Sequence, residues 1–173
     1  RPVSLVHVPQ VHIVVDGMFV PSQPVAGSAC GAGAICPTAE LEAVGAGAPR
    51  DGWVRFTLLD GATVLATNSS AHAQLQPGGA TSIVTTELRP AAGSVRPWSL
   101  QDPQMYTVRA EVMVGNASVD AVETSAGFRS VHWGVDRFAV NGKAFDLRGF
   151  SHHNSIGGLG VALPERINLF RVQ

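Results

Sequence analysis

From Tyr106 to Val114 an apolar side chain recurs at every second position, with strict period two. That rhythm suits an extended strand with one face on a core and the other in water. It excludes an amphipathic helix, whose apolar positions recur every three to four residues. Gly115-Asn116 follows as a turn signal that leads into a second strand, Ser118 to Thr124. Earlier in the chain Trp53 to Leu59, Asp60-Gly61 and Ala62 to Ala66 repeat the arrangement. Two alternating runs joined by such dipeptides predict a β-hairpin, because Gly and Asn accept the positive φ that tight turns need.

The remaining apolar segments are shorter. Val3 to Val8 reads as a strand ended by Pro9, and Val11 to Val15 as a strand before the turn Asp16-Gly17. Ala39 to Ala46, Ala71 to Leu75 and Thr81 to Leu88 are further strands, and residues 21–37 are a Pro/Gly/Ser/Ala-rich loop. With 19 glycines and 11 prolines in 173 residues, long helices are disfavoured. Short strands with a turn signal about every 8–12 residues indicate an all-β domain, an immunoglobulin-like antiparallel β-sandwich over residues 11–135.

The pattern changes from residue 136 onward. Arg137 to Val140 and Ala144 to Leu147 flank Asn141-Gly142-Lys143, which predicts a type I′ hairpin. A polar stretch, Arg148 to Ser155, and a glycine-rich loop, Gly157 to Gly160, come next. Pro164 fits the first turn of a helix and Glu165 its N-terminus, so a helix starts there. A strand, a loop and a helix start are the opening of a βα unit.

Charge and cysteine usage narrow the function classes. Lys+Arg 12 against Asp+Glu 13 leaves a formal charge of −1, so neither a nucleic-acid nor an anionic-membrane footprint is present. Hydrophobic residues at 45% exclude a disordered chain, and apolar runs such as Val11 to Val15 are too short to span a bilayer. No N-terminal stretch has the features of a signal peptide. Cys30 and Cys36 admit two readings, a small loop disulfide or two free thiols. A zinc site is disfavoured because no second Cys or His pair has ligand spacing. Asn68-Ser69-Ser70 and Asn116-Ala117-Ser118 are candidate N-glycosylation sequons. Together with the disulfide reading they favour a secreted or extracytoplasmic setting. No nucleophile elbow, metal-binding helix motif or phosphate loop occurs, and no cofactor is implied.

The segment from Pro97-Trp98-Ser99 through Pro103 to Tyr106 resembles the Trp-Ser-x-x-x-Pro-x-x-Tyr motif of glycoside hydrolase family 2, which includes β-galactosidases, β-glucuronidases and β-mannosidases. Gly127-Phe128-Arg129 resembles the Gly-Phe-Arg that closes the family's immunoglobulin-like domain. Asn141-Gly142-Lys143 and Leu147-Arg148-Gly149 resemble the motifs that open its TIM barrel. Each motif is weak alone, but the four stand in family order. The resemblance implies that residues 1–10 end a missing jelly-roll sugar-binding domain. It also implies that residues 136–173 are the first hairpin, loop and helix start of a truncated (β/α)8 barrel.

The resemblance extends to site residues. Where the family follows Arg-Gly with Val-Asn-Arg-His-Glu, this chain has Phe150-Ser151-His152-His153-Asn154. His153 falls on the family's active-site histidine. Ser151 replaces Asn, His152 replaces a basic residue, and Asn154 replaces an acidic one. Arg148, Ser151, His153 and Asn154 are thus the expected substrate contacts. A neutral imidazole donates to a sugar hydroxyl with one nitrogen and accepts with the other. Neither Asp146 nor Glu165 occupies a family catalytic position, so no catalytic residue is expected in this chain. The implied reading is part of a retaining glycosidase acting on β-linked terminal sugars, inactive alone, whose partners are a carbohydrate and the other domains of its parent. The alternative is a non-catalytic β-sandwich that binds a protein or glycan.

Other conspicuous side chains have structural expectations. Trp53 begins a strand and is expected in the core rather than as a sugar platform. Trp98 is expected to anchor a loop, and Trp133 to lie near the domain junction. Arg129 and Arg148 are expected in junction ion pairs, with Arg148 alternatively reaching carboxylates inside a barrel. His7, His12, His72 and His132 are expected at strand edges or partly buried.

Overall fold

The structure is a computed structural model, and it describes residues 3, 5–22, 30–31, 33–149, 155–156, 158, 160–161 and 163–172. The chain divides into two compact units, His7–Phe145 and a second made of Arg1–Val6 with Asp146–Gln173.

The unit His7–Phe145 is an immunoglobulin-like β-sandwich. One sheet has the order β1-β2-β6, from Val11–Phe19, Thr38–Ala43 and Ser82–Thr85. The other has the order β4-β3-β7-β8, from Thr63–Ser69, Arg50–Asp60, Tyr106–Val114 and Ala117–Ala126; the short β5 (Ala73–Leu75) pairs with the start of β3. All these pairings are antiparallel. Alternation decides which side chains meet between the sheets. On β3, Val54, Phe56 and Leu58 are fully buried, as are their cross-strand partners Val112, Ala110 and Val108 on β7. They form one core with Val11, Ile13, Ala39, Leu41 and Val84 of the opposite sheet. Burial of this apolar area, at about 25 cal/mol per Å², is what holds the sandwich closed.

The hairpins follow the turn chemistry. Gly115-Asn116 joins Val114 to its partner Ala117, and Asn141 and Gly142 carry φ of 51° and 75°, the two positive values a type I′ turn requires. The first long hairpin turns at Gly61-Ala62, one residue later than expected, with Asp60 paired to Thr63. Asp16-Gly17 is no turn at all. The strand β1 runs through it as a bulge, with Asp16 at φ 60° and a register shift between Ile13 and Met18. A Cβ on Gly17 would lie 2.8 Å from the Val14 carbonyl oxygen, so the bulge needs a glycine.

Other expectations fail for identifiable reasons. The described residues between Val3 and Val8 form no strand, and Val3 and Leu5 are exposed, because no described strand pairs with them. The strand expected over Thr81–Leu88 ends at Thr85, after which Leu88 makes an isolated bridge to Ile35. A strand that the sequence reading missed, β9 (Val131–Trp133), joins β10 (Phe138–Val140) and β11 (Lys143–Phe145) in a small sheet of order β11-β10-β9. Three residues are too few to show a period. Trp53 is not in the core: it occupies the outward register of β3 and is partly exposed. Of the histidines, His12 is buried at 5% exposure, whereas His7, His72 and His132 are exposed.

The second unit holds one helix, α1 (Glu165–Val172), with Glu165 in its first turn and Arg171 in its last, each complementing the helix dipole. The Pro164 carbonyl accepts from the Ile167 amide at 2.9 Å. Ile156 and Gly160 exchange backbone hydrogen bonds, and Arg171 Nη2 donates to the Ser155 carbonyl at 3.2 Å. No helix is long and apolar enough to cross a membrane among the described residues.

Candidate functional site

Of the expected substrate contacts, Ser151, His153 and Asn154 lie outside the described residues, as does His152. Arg148 is described and exposed, three residues beyond the end of β11. Among the described residues it makes no ion pair. Arg129 is likewise not in an ion pair; its guanidinium stacks on the Trp98 ring, 4.9 Å from the centroid. The expected ion pairs of Arg129 and Arg148 are therefore not found among the described residues, and Arg129 makes a cation–π contact instead.

The residues that carried the motif pattern come together as one hydrogen-bonded cluster. The Trp98 amide donates to the Phe128 carbonyl at 2.9 Å, and the Trp98 carbonyl accepts from Asn141 Nδ2 at 2.9 Å. Asn141 Oδ1 accepts from the Ser130 amide at 3.0 Å, and the Asn141 amide donates to the Ser130 carbonyl at 2.9 Å. One asparagine thus ties the hairpin of β10 and β11 to the loop that carries Trp98. Gly127 fits the same packing closely: a Cβ there would sit 3.0 Å from both the Trp98 ring and the Met105 sulfur, tight enough that one of them would have to shift. The Tyr106 hydroxyl accepts from the Arg96 amide at 2.8 Å, and its ring lies 5.7 Å from that of Phe128. Arg96 Nη1 pairs with Asp102 at 2.8 Å, while the Asp102 amide donates to Ser99 Oγ at 3.0 Å. The hydrogen bonds of this cluster hold the Trp98 loop, the segment around Phe128 and Ser130, and the β10–β11 hairpin together. The sequence marks Asn141 as a turn and motif residue; its side-chain role depends on partners from two other segments, at Trp98 and Ser130.

The cysteine question is settled in favour of the bond. Cys30 and Cys36 form a disulfide with Cα atoms 5.9 Å apart. Its loop is held to the segment after β6 by the Ile35–Leu88 bridge and by the Gly31 amide, which donates to Glu87 Oε1 at 2.8 Å. That hydrogen bond and the neighbouring Arg89 guanidinium hold the Glu87 carboxyl below the usual carboxylate range. The cavity beside the disulfide, lined by Ile35, Pro90, Val95 and Phe128, measures about 200 Å³. It is smaller than sites that enclose small-molecule ligands. Among the described residues no three His, Cys, Asp or Glu side chains are grouped to hold a metal. Both sequon asparagines are exposed, Asn116 at the β7–β8 turn and Asn68 in β4, where its amide donates to the Glu87 carbonyl.

Comparison with known proteins places these features in a wider setting. The model of the family described as "Glycosyl hydrolases family 2" matches residues 40–129. A β-galactosidase of Thermoanaerobacterium thermosulfurigenes is 30% identical over 73 residues, covering 42% of this chain and 10% of that protein. Among solved structures, a Bacteroides uniformis β-glucuronidase superposes with a TM-score of 0.74 at 22% identity, covering 95% of this chain and 20% of that one. A β-galacturonidase from Eisenbergiella tayi, solved with galacturonate, gives 0.71 at 17% identity, covering 95% and 27%. At those identities the structural likeness is one of fold. The chain spans about a tenth of the curated relative and a fifth to a quarter of the structural ones.

Proposed function

The chain belongs to glycosyl hydrolases family 2, and from that premise we propose that it supplies the immunoglobulin-like sandwich and the opening of the catalytic barrel to a retaining glycosidase acting on β-linked terminal sugars. The family match over residues 40–129 is the observation that carries this reading. Two further facts support it. The Trp98, Gly127, Phe128, Arg129 and Asn141 positions of the motif pattern form one interlocked cluster. The fold likeness covers 95% of the chain, which is more than the sandwich unit alone.

In this reading residues 136–173 begin the barrel and residues 1–10 close a preceding jelly-roll domain. Retaining hydrolysis needs a nucleophile carboxylate and an acid/base carboxylate about 5–5.5 Å apart. No such pair belongs to this chain's motif positions, so the bond-breaking groups come from the rest of the parent, and the 173-residue chain alone is inactive. Its contribution to the site is polar. In this reading His153 is assigned to the end of a barrel strand, the face where such barrels do chemistry. Its ring hydrogen-bonds a sugar hydroxyl, with Ser151, Asn154 and Arg148 adding donors and acceptors.

The test uses chromogenic β-galactoside, β-glucuronide and β-mannoside. The complete protein should hydrolyse at least one of them and the isolated chain none. His153→Ala in the complete protein should lower kcat/KM by roughly 10–100-fold, the scale of about 1.4–2.7 kcal/mol for a lost transition-state hydrogen bond. Turnover by the chain alone would refute the division of labour; a complete protein inert on all three substrates would refute the reading itself.

A further inference from the structure

The outward face of β3 carries a cluster that neither the core nor the motif network uses. Successive outward positions of the strand are Asp51, Trp53 and Arg55. Asp51 is paired in register with Gln74 of β5, and Trp53 with Met113 of β7, so all four side chains stand on one face. His72, just before β5, completes the group. Its Nδ1 hydrogen-bonds Asp51 Oδ2 at 2.6 Å, and Gln74 Nε2 donates to Asp51 Oδ1 at 3.0 Å. The imidazole lies 6.0 Å from the Trp53 ring at a 31° tilt, and the Arg55 guanidinium lies 6.0 Å from the same ring. The indole is thus flanked by an oriented imidazole and a guanidinium.

Packing alone does not account for this arrangement. Met113, the buried cross-strand partner of Trp53, explains why an aromatic sits there. It does not explain the polar group beside it. The His72 and Asp51 side chains are 61% and 48% exposed, and exposed pairs contribute little to stability. What the Asp51 carboxylate does is fix two neighbours at once. In the neutral ring whose Nδ1 proton is donated to Asp51, the second ring nitrogen, Nε2, is an acceptor. Gln74 Oε1 is left in the same condition. Neither atom has a partner among the described residues.

We propose that Trp53, His72, Asp51, Gln74 and Arg55 form a non-catalytic binding surface for a neutral glycan. A pyranose ring has an apolar face of C–H groups that packs on an indole. Its rim of hydroxyls both donates and accepts, and the rim of this indole offers both functions: acceptors at Nε2 and Oε1, donors on the guanidinium. The charge selects a neutral ligand. Arg55 and Arg109 share Glu111 at 3.6 and 3.3 Å, Glu123 lies 3.9 Å from Arg109, and Asp51 is a third carboxylate, so two cations face three anions. Local charge is therefore negative, which repels uronates, sulfated sugars and acidic protein surfaces. The surface is separate from the sugar-contacting role proposed for His153, and its test does not depend on turnover.

The experiment is affinity electrophoresis of the 173-residue chain in native gels containing a neutral β-glucan, a neutral β-galactan or a galactomannan, with polygalacturonate as the anionic control. Retardation is expected in at least one neutral gel and not in polygalacturonate. Trp53→Ala should weaken binding at least about tenfold and His72→Ala by a smaller factor, with unchanged far-UV circular dichroism. If Trp53→Ala does not fold, His72→Ala and Asp51→Asn, both at exposed positions, carry the test. The proposal is overturned by free migration in every neutral gel, by retardation in polygalacturonate alone, or by a folded Trp53→Ala or, failing that, His72→Ala and Asp51→Asn that bind as well as the parent chain.

Discussion

The two units of this chain use apolar residues in opposite ways. In the sandwich, Val54, Phe56, Leu58, Val108 and Leu41 are fully buried, because two sheets cover each other's inner faces. In the unit made of Arg1–Val6 and Asp146–Gln173, Leu147, Val161, Leu169 and Phe170 are exposed, with Phe170 at 77%. Among the described residues of that unit, one eight-residue helix and one isolated bridge cannot enclose a core. An isolated helix of that length is also marginal in water. The difference teaches where stability resides: alternation becomes free energy only when a second layer receives it.

Four substitutions or treatments probe that contrast, in descending order of expected effect. Phe56→Ala should destabilise the chain by about 3–5 kcal/mol through a core cavity, lowering Tm by about 10 °C or more. A shift of only a degree or two by differential scanning calorimetry would show that the sandwich core is not closed. Reduction of Cys30–Cys36 should cost about 2 kcal/mol, the loop-entropy scale for so short a ring. An unchanged Tm with both thiols verified by mass spectrometry would mean that the Ile35–Leu88 bridge holds the loop unaided. Acidification should act through Glu87. Its folded pKa lies below the ordinary 4.5, so its stabilising contribution is present above that value and is lost as pH falls through the depressed one. Glu87→Gln should flatten the stability curve below pH 4.5, read by acid titration of the circular dichroism signal. Phe170→Ala should change stability by less than about 0.5 kcal/mol, since the side chain is exposed. A larger loss would place that helix against a partner surface and weaken the contrast.

Much of the sandwich was legible in the chain because its strands are long enough to show their period. β7 falls on the residues read for it, Tyr106 to Val114, and the Asn141-Gly142 turn has the expected type. β9 was illegible at three residues, and Asp16-Gly17 misled, because a turn dipeptide and a bulge dipeptide are chemically the same. The family motifs were legible as spaced residues, but their joint purpose was not. Trp98, Gly127 and Asn141 are brought together by packing across segments far apart in sequence.

By itself the amino-acid order determined the antiparallel, all-β character, the positions of the long hairpins and the membership hinted at by the order of four motifs. These depend on local periodicity and on which residues accept positive φ, and both are properties of neighbours in the chain. Tertiary structure decided the rest. It chose the bond between Cys30 and Cys36, and it turned Asp16-Gly17 into a bulge. It also placed Trp53 outward beside His72 and Asp51 rather than in the core. Each of those outcomes rests on which distant strand supplies the opposing surface, and only the packed sandwich brings that surface into place.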